Sequence, residues 1–127
     1  MFVLPCVKSS TSNLDGIPNV LVEAMAMQVP VIATNFSGTP ELVDDQVNGL
    51  LTPPGDDVAL VNAMARLLDE PTLRENLGWN GRWTVIAKFD VERNVQRFAA
   101  TLWPNWMAKS TKLEATAASA SLEREVA

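Results

Sequence analysis

Histidine is absent from the 127 residues, and cysteine occurs once, as Cys6. A single cysteine excludes a disulfide within the chain, and the lack of histidine argues against a Cys/His metal site. Both point to a reducing compartment, so a cytoplasmic location is expected. Lys and Arg number 10 against 15 Asp and Glu, the net charge is −5, and the acids recur in pairs at Asp44-Asp45, Asp56-Asp57 and Asp69-Glu70. No basic stripe exists, which argues against nucleic acid as a partner. No apolar run reaches the roughly 18 residues that suggest a membrane span. Met1-Phe2-Val3-Leu4-Pro5 is too short for a signal peptide. Peripheral contact with a membrane stays open. No G-x-G-x-x-G follows any apolar run, which leaves a dinucleotide-dependent dehydrogenase without support.

What is present fits one domain at most, with an apolar fraction of 47% that is ordinary for a soluble core. The chain is organised around residues 15–23, DGIPNVLVE, which run on through AMAMQVPVIAT to Thr34. Gly16 suits a tight or left-handed turn, and Pro18 fixes φ where a first helical turn has no donor to lose. A helix therefore starts near Pro18. From Asn19 to Gln28 it is apolar on all sides apart from Glu23, so it reads as a buried helix. A buried carboxylate costs several kcal/mol unless it is paired or opens onto ligand and water. Glu23 is thus either satisfied locally or faces a cleft about one and a half turns into the helix. Asp15 precedes the helix mouth, whose free N–H groups suit a phosphate.

The other elements follow from pattern. Phe2 to Leu4 read as a core strand ended by Pro5, and 7–14 as a loop at its carboxyl end, the ligand side of a parallel sheet. Lys8 in that loop either meets a phosphate or is merely solvated. Pro30 to Thr34 form a second strand, which completes a parallel βαβ unit. In the next loop Gly38 permits a close backbone approach, and Thr39-Pro40 start a short helix whose Glu41 compensates the dipole or sits near a nucleotide. Asn48-Gly49 signal a turn before a third strand, 49–52. Asp56 or Asp57 caps a helix that buries Val58, Leu60, Val61, Met64, Leu67 and Leu68. Pro71 restarts a helix through Trp79, Trp83 and Ile86, weakened in its middle by Gly78 and Gly81, with both Trp expected in the core. Asp90 caps a last helix with Val91, Val95, Phe98 and Leu102 on one face, leaving that stripe, Trp103 and Trp106 open to solvent if nothing covers them.

Residues 15–23 resemble the acid-x7-acid motif of retaining nucleotide-sugar glycosyltransferases of the GT-B fold, family 4, also called glycosyl transferases group 1. The usual form there is EGxPNxxxEAMAxGxPVVAT. The resemblance runs from about Phe2 to about Trp103 and takes in SGTPELV (37–43), NGLL (48–51) and PPGD (53–56). Asp15 departs from it, since glutamate is commoner there, and its side chain reaches one methylene less far.

The resemblance implies an α/β fold, a Rossmann-like parallel sheet flanked by helices, as part of a GT-B carboxyl-terminal domain. Residues 1–107 would form the partial nucleotide-sugar-binding domain and 108–127 a flexible or weakly helical tail. It implies a hexosyltransferase-type enzyme that moves a sugar from a nucleotide diphosphate sugar to a hydroxyl acceptor, without a metal or other cofactor. Asp15 and Glu23 would be the catalytic pair, Asp15 on the donor sugar and Glu23 on the ribose. Gly16, Ile17, Pro18, Asn19 and Val20 would complete the donor site. The base pocket, the basic pair for the diphosphate and an amino-terminal acceptor domain lie upstream in the family, so this chain alone is expected to be inactive. Bacterial cell-envelope or exopolysaccharide synthesis is the implied setting. A non-catalytic α/β module that binds a nucleotide or a partner is the alternative.

Overall fold

The computed structural model describes residues 1–7 and 16–104. Asp15, Lys8, Trp106 and the expected tail at 108–127 lie outside the described residues. The chain forms two compact units, Met1–Phe89 and a second that begins at Asp90.

In the first unit, three short strands, β1 (Phe2–Leu4), β2 (Val31–Thr34) and β3 (Leu50–Thr52), pair in parallel in the order β1-β2-β3. Phe2 stands opposite Val31, and Thr34 opposite Thr52. All four residues of β2 are buried, as a central parallel strand covered on both faces requires. Its alternation divides the core. Val31 and Ala33 pack with Leu21, Met25, Leu42 and Val85 on one face, whereas Ile32 packs with Leu50, Leu67 and Leu77 on the other.

The helices that cover these faces are α1 (Asn19–Ala26), α2 (Thr39–Leu42), α3 (Asp57–Asp69) and α4 (Pro71–Lys88). α4 contributes Val85 to the first cluster and Leu77 to the second. Asp56 is the residue that caps α3, its Oδ1 accepting from Ala59 N at 2.8 Å. Asn48 is buried and fixes the turn before β3. Its Oδ1 accepts from Asp44 N at 2.7 Å, and its Nδ2 donates to Leu42 O and to Thr84 Oγ1 on α4.

Four expectations are corrected. α1 is not buried all round. Only Leu21 and Met25 are fully buried, Met27 is 74% exposed, and Glu23 is exposed rather than desolvated. The helix stops at Ala26 because Gln28 turns left-handed at φ 61°, with Gln28 N bonded to Met25 O and Val29 N to Ala24 O. That pair of bonds is the Schellman arrangement that closes a helix end. On α3 the buried side is Leu60, Ala63 and Leu67, so Val58, Val61, Met64 and Leu68 are exposed.

On α4, Trp79 and Trp83 are about half exposed and contact each other edge to face, with centroids 6.0 Å apart. Gly78 and Gly81 do not interrupt α4. They are where it meets its neighbours, and a Cβ on Gly78 would collide with Gln28 O.

The second unit contains α5 (Val91–Leu102), capped by Asp90, whose Oδ1 accepts from Arg93 N at 2.7 Å. No residue of α5 is buried. Val91, Val95, Phe98 and Leu102 keep half or more of their surface, and so does Trp103 after it.

Candidate functional site

The loops that leave β1 and β2 at their carboxyl ends open around a cavity of about 600 Å³. Outside the carboxyl ends of parallel strands is where open α/β sheets bind ligands. One wall is the entry to α1, with Gly16, Ile17, Pro18 and Val20. The opposite wall carries Phe36, Ser37 and Thr39, and the floor is Leu4 with Cys6. The floor is tied across the sheet, because Cys6 N donates to Thr34 Oγ1 at 2.9 Å. A second cavity, of about 750 Å³, lies along α5 between Val95, Phe98 and Trp103. It is larger, but among its described lining only Asn94 and the indole N–H of Trp103 are polar, so it offers little chemistry.

The mouth of α1 has the character of an anion site. Pro18 is the residue that precedes the helix, and among the described residues no side chain caps it. Leu21 N is satisfied by Pro18 O at 3.0 Å, whereas the N–H groups of Asn19 and Val20 come too early in the helix to find an acceptor within it. Glu23 follows Val20 by three positions and Asn19 by four, which places all three on one helix face. Glu23 is exposed on that face, about 4.5 Å along the axis from Val20 at ~1.5 Å per residue. Its carboxylate is open to a ligand that extends from the cavity.

Of the expected donor-binding residues, the structure gathers Gly16, Ile17, Pro18 and Val20 around the cavity, while Asn19 and Glu23 are exposed and outside its described lining. The remaining one, Asp15, lies outside the described residues. Of the two turns expected at Gly16, the left-handed one is not found. Among the described glycines only Gly55 has a positive φ, and nothing stands within 4 Å of a Cβ on Gly16. The left-handed residue of the cavity is instead Ser37, at φ 53°. That conformation costs a residue with a Cβ about 1 kcal/mol or more. Nothing in the sequence marked Ser37, because a serine before a glycine reads as ordinary loop. Glu41 lies in the first turn of α2, outside the described lining of the cavity. No charged residue occurs in that lining.

Residues 1–70 match the family model described as glycosyl transferases group 1. The chain belongs to this family. Among its glycosyl transferase relatives, the capsular polysaccharide biosynthesis glycosyltransferase CapM of Staphylococcus aureus is 36% identical over 89 residues, 70% of this chain and 22% of CapM. The crystal structure of Anabaena Alr3699/HepE in complex with UDP superposes with a TM-score of 0.68 at 32% identity, over 72% of this chain and 25% of that one. The C-terminal domain of a glycosyl transferase group 1 family protein, LpcC of Francisella tularensis, gives a TM-score of 0.56 at 30% identity. That match covers 61% of this chain and 40% of the other. The solved neighbours are GT-B glycosyltransferases, and the parallel α/β sheet of this chain fits that fold. The chain spans between 16% and 25% of the length of the first curated relatives it matches. Among the described residues, no helix is long and apolar enough to cross a membrane.

Proposed function

We propose that this chain is the donor-binding part of a retaining glycosyltransferase of family 4, drawn from the carboxyl-terminal domain, which moves a hexose from a nucleotide diphosphate sugar to a hydroxyl acceptor. The observation that carries the reading is the cavity at the carboxyl ends of β1 and β2, entered by α1, which begins just after Pro18, with Glu23 exposed three residues beyond Val20. The Anabaena neighbour, solved with UDP, and the LpcC domain support it.

In this reading Glu23 accepts hydrogen bonds from the two ribose hydroxyls. That is a task for an ionised carboxylate with open lone pairs. Asp15 contacts hydroxyls of the donor sugar. The N–H groups of Asn19 and Val20 face the phosphate nearer the sugar, and they stabilise the charge that grows on the diphosphate as the glycosidic bond breaks. No metal or other cofactor is assigned a step. No cation occurs in the described lining of the cavity, and in this reading the chain by itself binds donor but transfers no sugar. Its setting is cytoplasmic assembly of a bacterial polysaccharide, and an acceptor domain on a further segment completes the cleft.

Calorimetric titration of UDP, GDP and ADP into the wild-type chain and Glu23→Ala tests this. One nucleotide should bind, and Glu23→Ala should weaken it at least tenfold. Binding that is indifferent to Glu23→Ala would instead favour the non-catalytic nucleotide-binding module, and absence of binding by all three nucleotides would overturn the donor assignment.

A further inference from the structure

The wall of the cavity opposite α1 is held in an unusual way. Ser37 adopts φ 53°, and the turn it makes drives the backbone of Gly38 onto the peptide between Gly16 and Ile17. A Cβ on Gly38 would stand 2.7 Å from Gly16 C and from Ile17 N, and 3.0 Å from Gly16 O. Those atoms are backbone, so no side chain can swing aside to make room. The loop behind Gly38 is fastened as well. Asn35 N donates to Thr52 O and Phe36 N to Thr34 O, both at 2.8 Å, and Thr39 N donates to Phe36 O at 3.2 Å. Gly38 is buried, and the peptide it touches is separated by Ile17 alone from Pro18, where the first turn of α1 begins.

We propose that Gly38 is a positioning residue of this cavity. Its missing side chain sets where the Gly16–Ile17 peptide stands, and with it the direction in which the first N–H groups of α1 point. Ser37, in its left-handed turn, presses the loop into that contact. The inference rests on the donor reading above only for the identity of the ligand.

The test compares Gly38→Ala with Gly49→Ala in the full chain. A Cβ on Gly49 would meet Val43 Cγ1 at 2.7 Å and Val31 Cγ2 at 2.8 Å, both core side chains. Gly49→Ala is therefore a packing control. Two measurements are made, amide hydrogen exchange without ligand and titration with UDP. Gly38→Ala should speed exchange at Leu21 to Glu23, the first bonded amides of α1, at least tenfold while Val31 to Ala33 exchange as in the wild type, and should raise the Kd for UDP at least tenfold. Gly49→Ala should lower Tm yet leave UDP affinity within twofold. Ser37→Gly, where glycine accepts a positive φ without strain, gives a folded second variant. It should speed exchange at Leu21 to Glu23 without lowering Tm.

Wild-type exchange at Leu21 to Glu23 in both Gly38→Ala and Ser37→Gly would overturn the proposal. So would a uniform rise in Gly38→Ala that includes β2, since Gly38 would then be an ordinary packing glycine. A wild type that ignores UDP defeats the choice of ligand, while the exchange measurement still decides the positioning role.

Discussion

α1 and α5 make an instructive pair. The shorter one, eight residues from Asn19 to Ala26, buries Leu21 and Met25 completely. The longer one, twelve residues from Val91 to Leu102, buries none, although Val91, Val95, Phe98 and Leu102 follow the spacing of a core-facing stripe. A stripe of aliphatic and aromatic side chains therefore records what a helix is able to pack against, not what it does pack against. α1 has a sheet beneath it and α4 beside it, and that context supplies the stability.

Truncating one side chain from each helix tests this contrast most severely. Leu21→Ala should destabilise the first unit by about 2–5 kcal/mol, the range for emptying a buried leucine site. Leu102→Ala, at a position half exposed to solvent, should change stability by about 0.5 kcal/mol or less. Urea unfolding of both variants gives the comparison directly. Equal losses would mean that α5 is covered in solution and that the contrast is false.

A smaller effect is expected where α1 meets α4. Glycine to alanine inside a helix normally stabilises it by up to ~1 kcal/mol. Gly78→Ala should reverse that sign and cost about 1–3 kcal/mol, because its Cβ collides with the carbonyl of Gln28 rather than with a movable side chain. A Tm above that of the wild type would show that the two helices stand further apart than described.

The smallest effect concerns the end of α1 itself. Gln28 stands where the family's usual form EGxPNxxxEAMAxGxPVVAT has glycine, and it is left-handed at φ 61°. Gln28→Gly should stabilise the protein by about 0.5–1 kcal/mol by removing the Cβ penalty, less the added freedom of the unfolded chain. α5 ends without a left-handed residue among the described ones, so no such gain is available there.

The framework of the sheet was readable in advance because its signals are local. Val31, Ile32 and Ala33 form an unbroken apolar run after a proline, Pro18 marks the start of α1, and Asp56 and Asp90 precede the helices they cap. Gly38 could be read as a close approach, but its partner, the Gly16–Ile17 peptide, lies more than twenty residues earlier and appears only once the loops are assembled. Trp79 and Trp83 were misread for the same reason as the outer face of α3. Helical spacing says that residues share a side, whereas only tertiary neighbours decide whether that side is covered. Glu23 was expected to be either locally paired or facing a cleft, because its neighbours are aliphatic; yet Val20 and Met27 share its exposure, so the composition of the helix said nothing about its orientation.

α4 reaches into both halves of the core, through Leu77 beneath one face of the sheet and Val85 beneath the other. A strut anchored on two floors cannot come away from one alone. Neither layer of the first unit can melt while the other stays intact, so heating should reveal a single sharp transition in which the walls of the cavity vanish together with the rest.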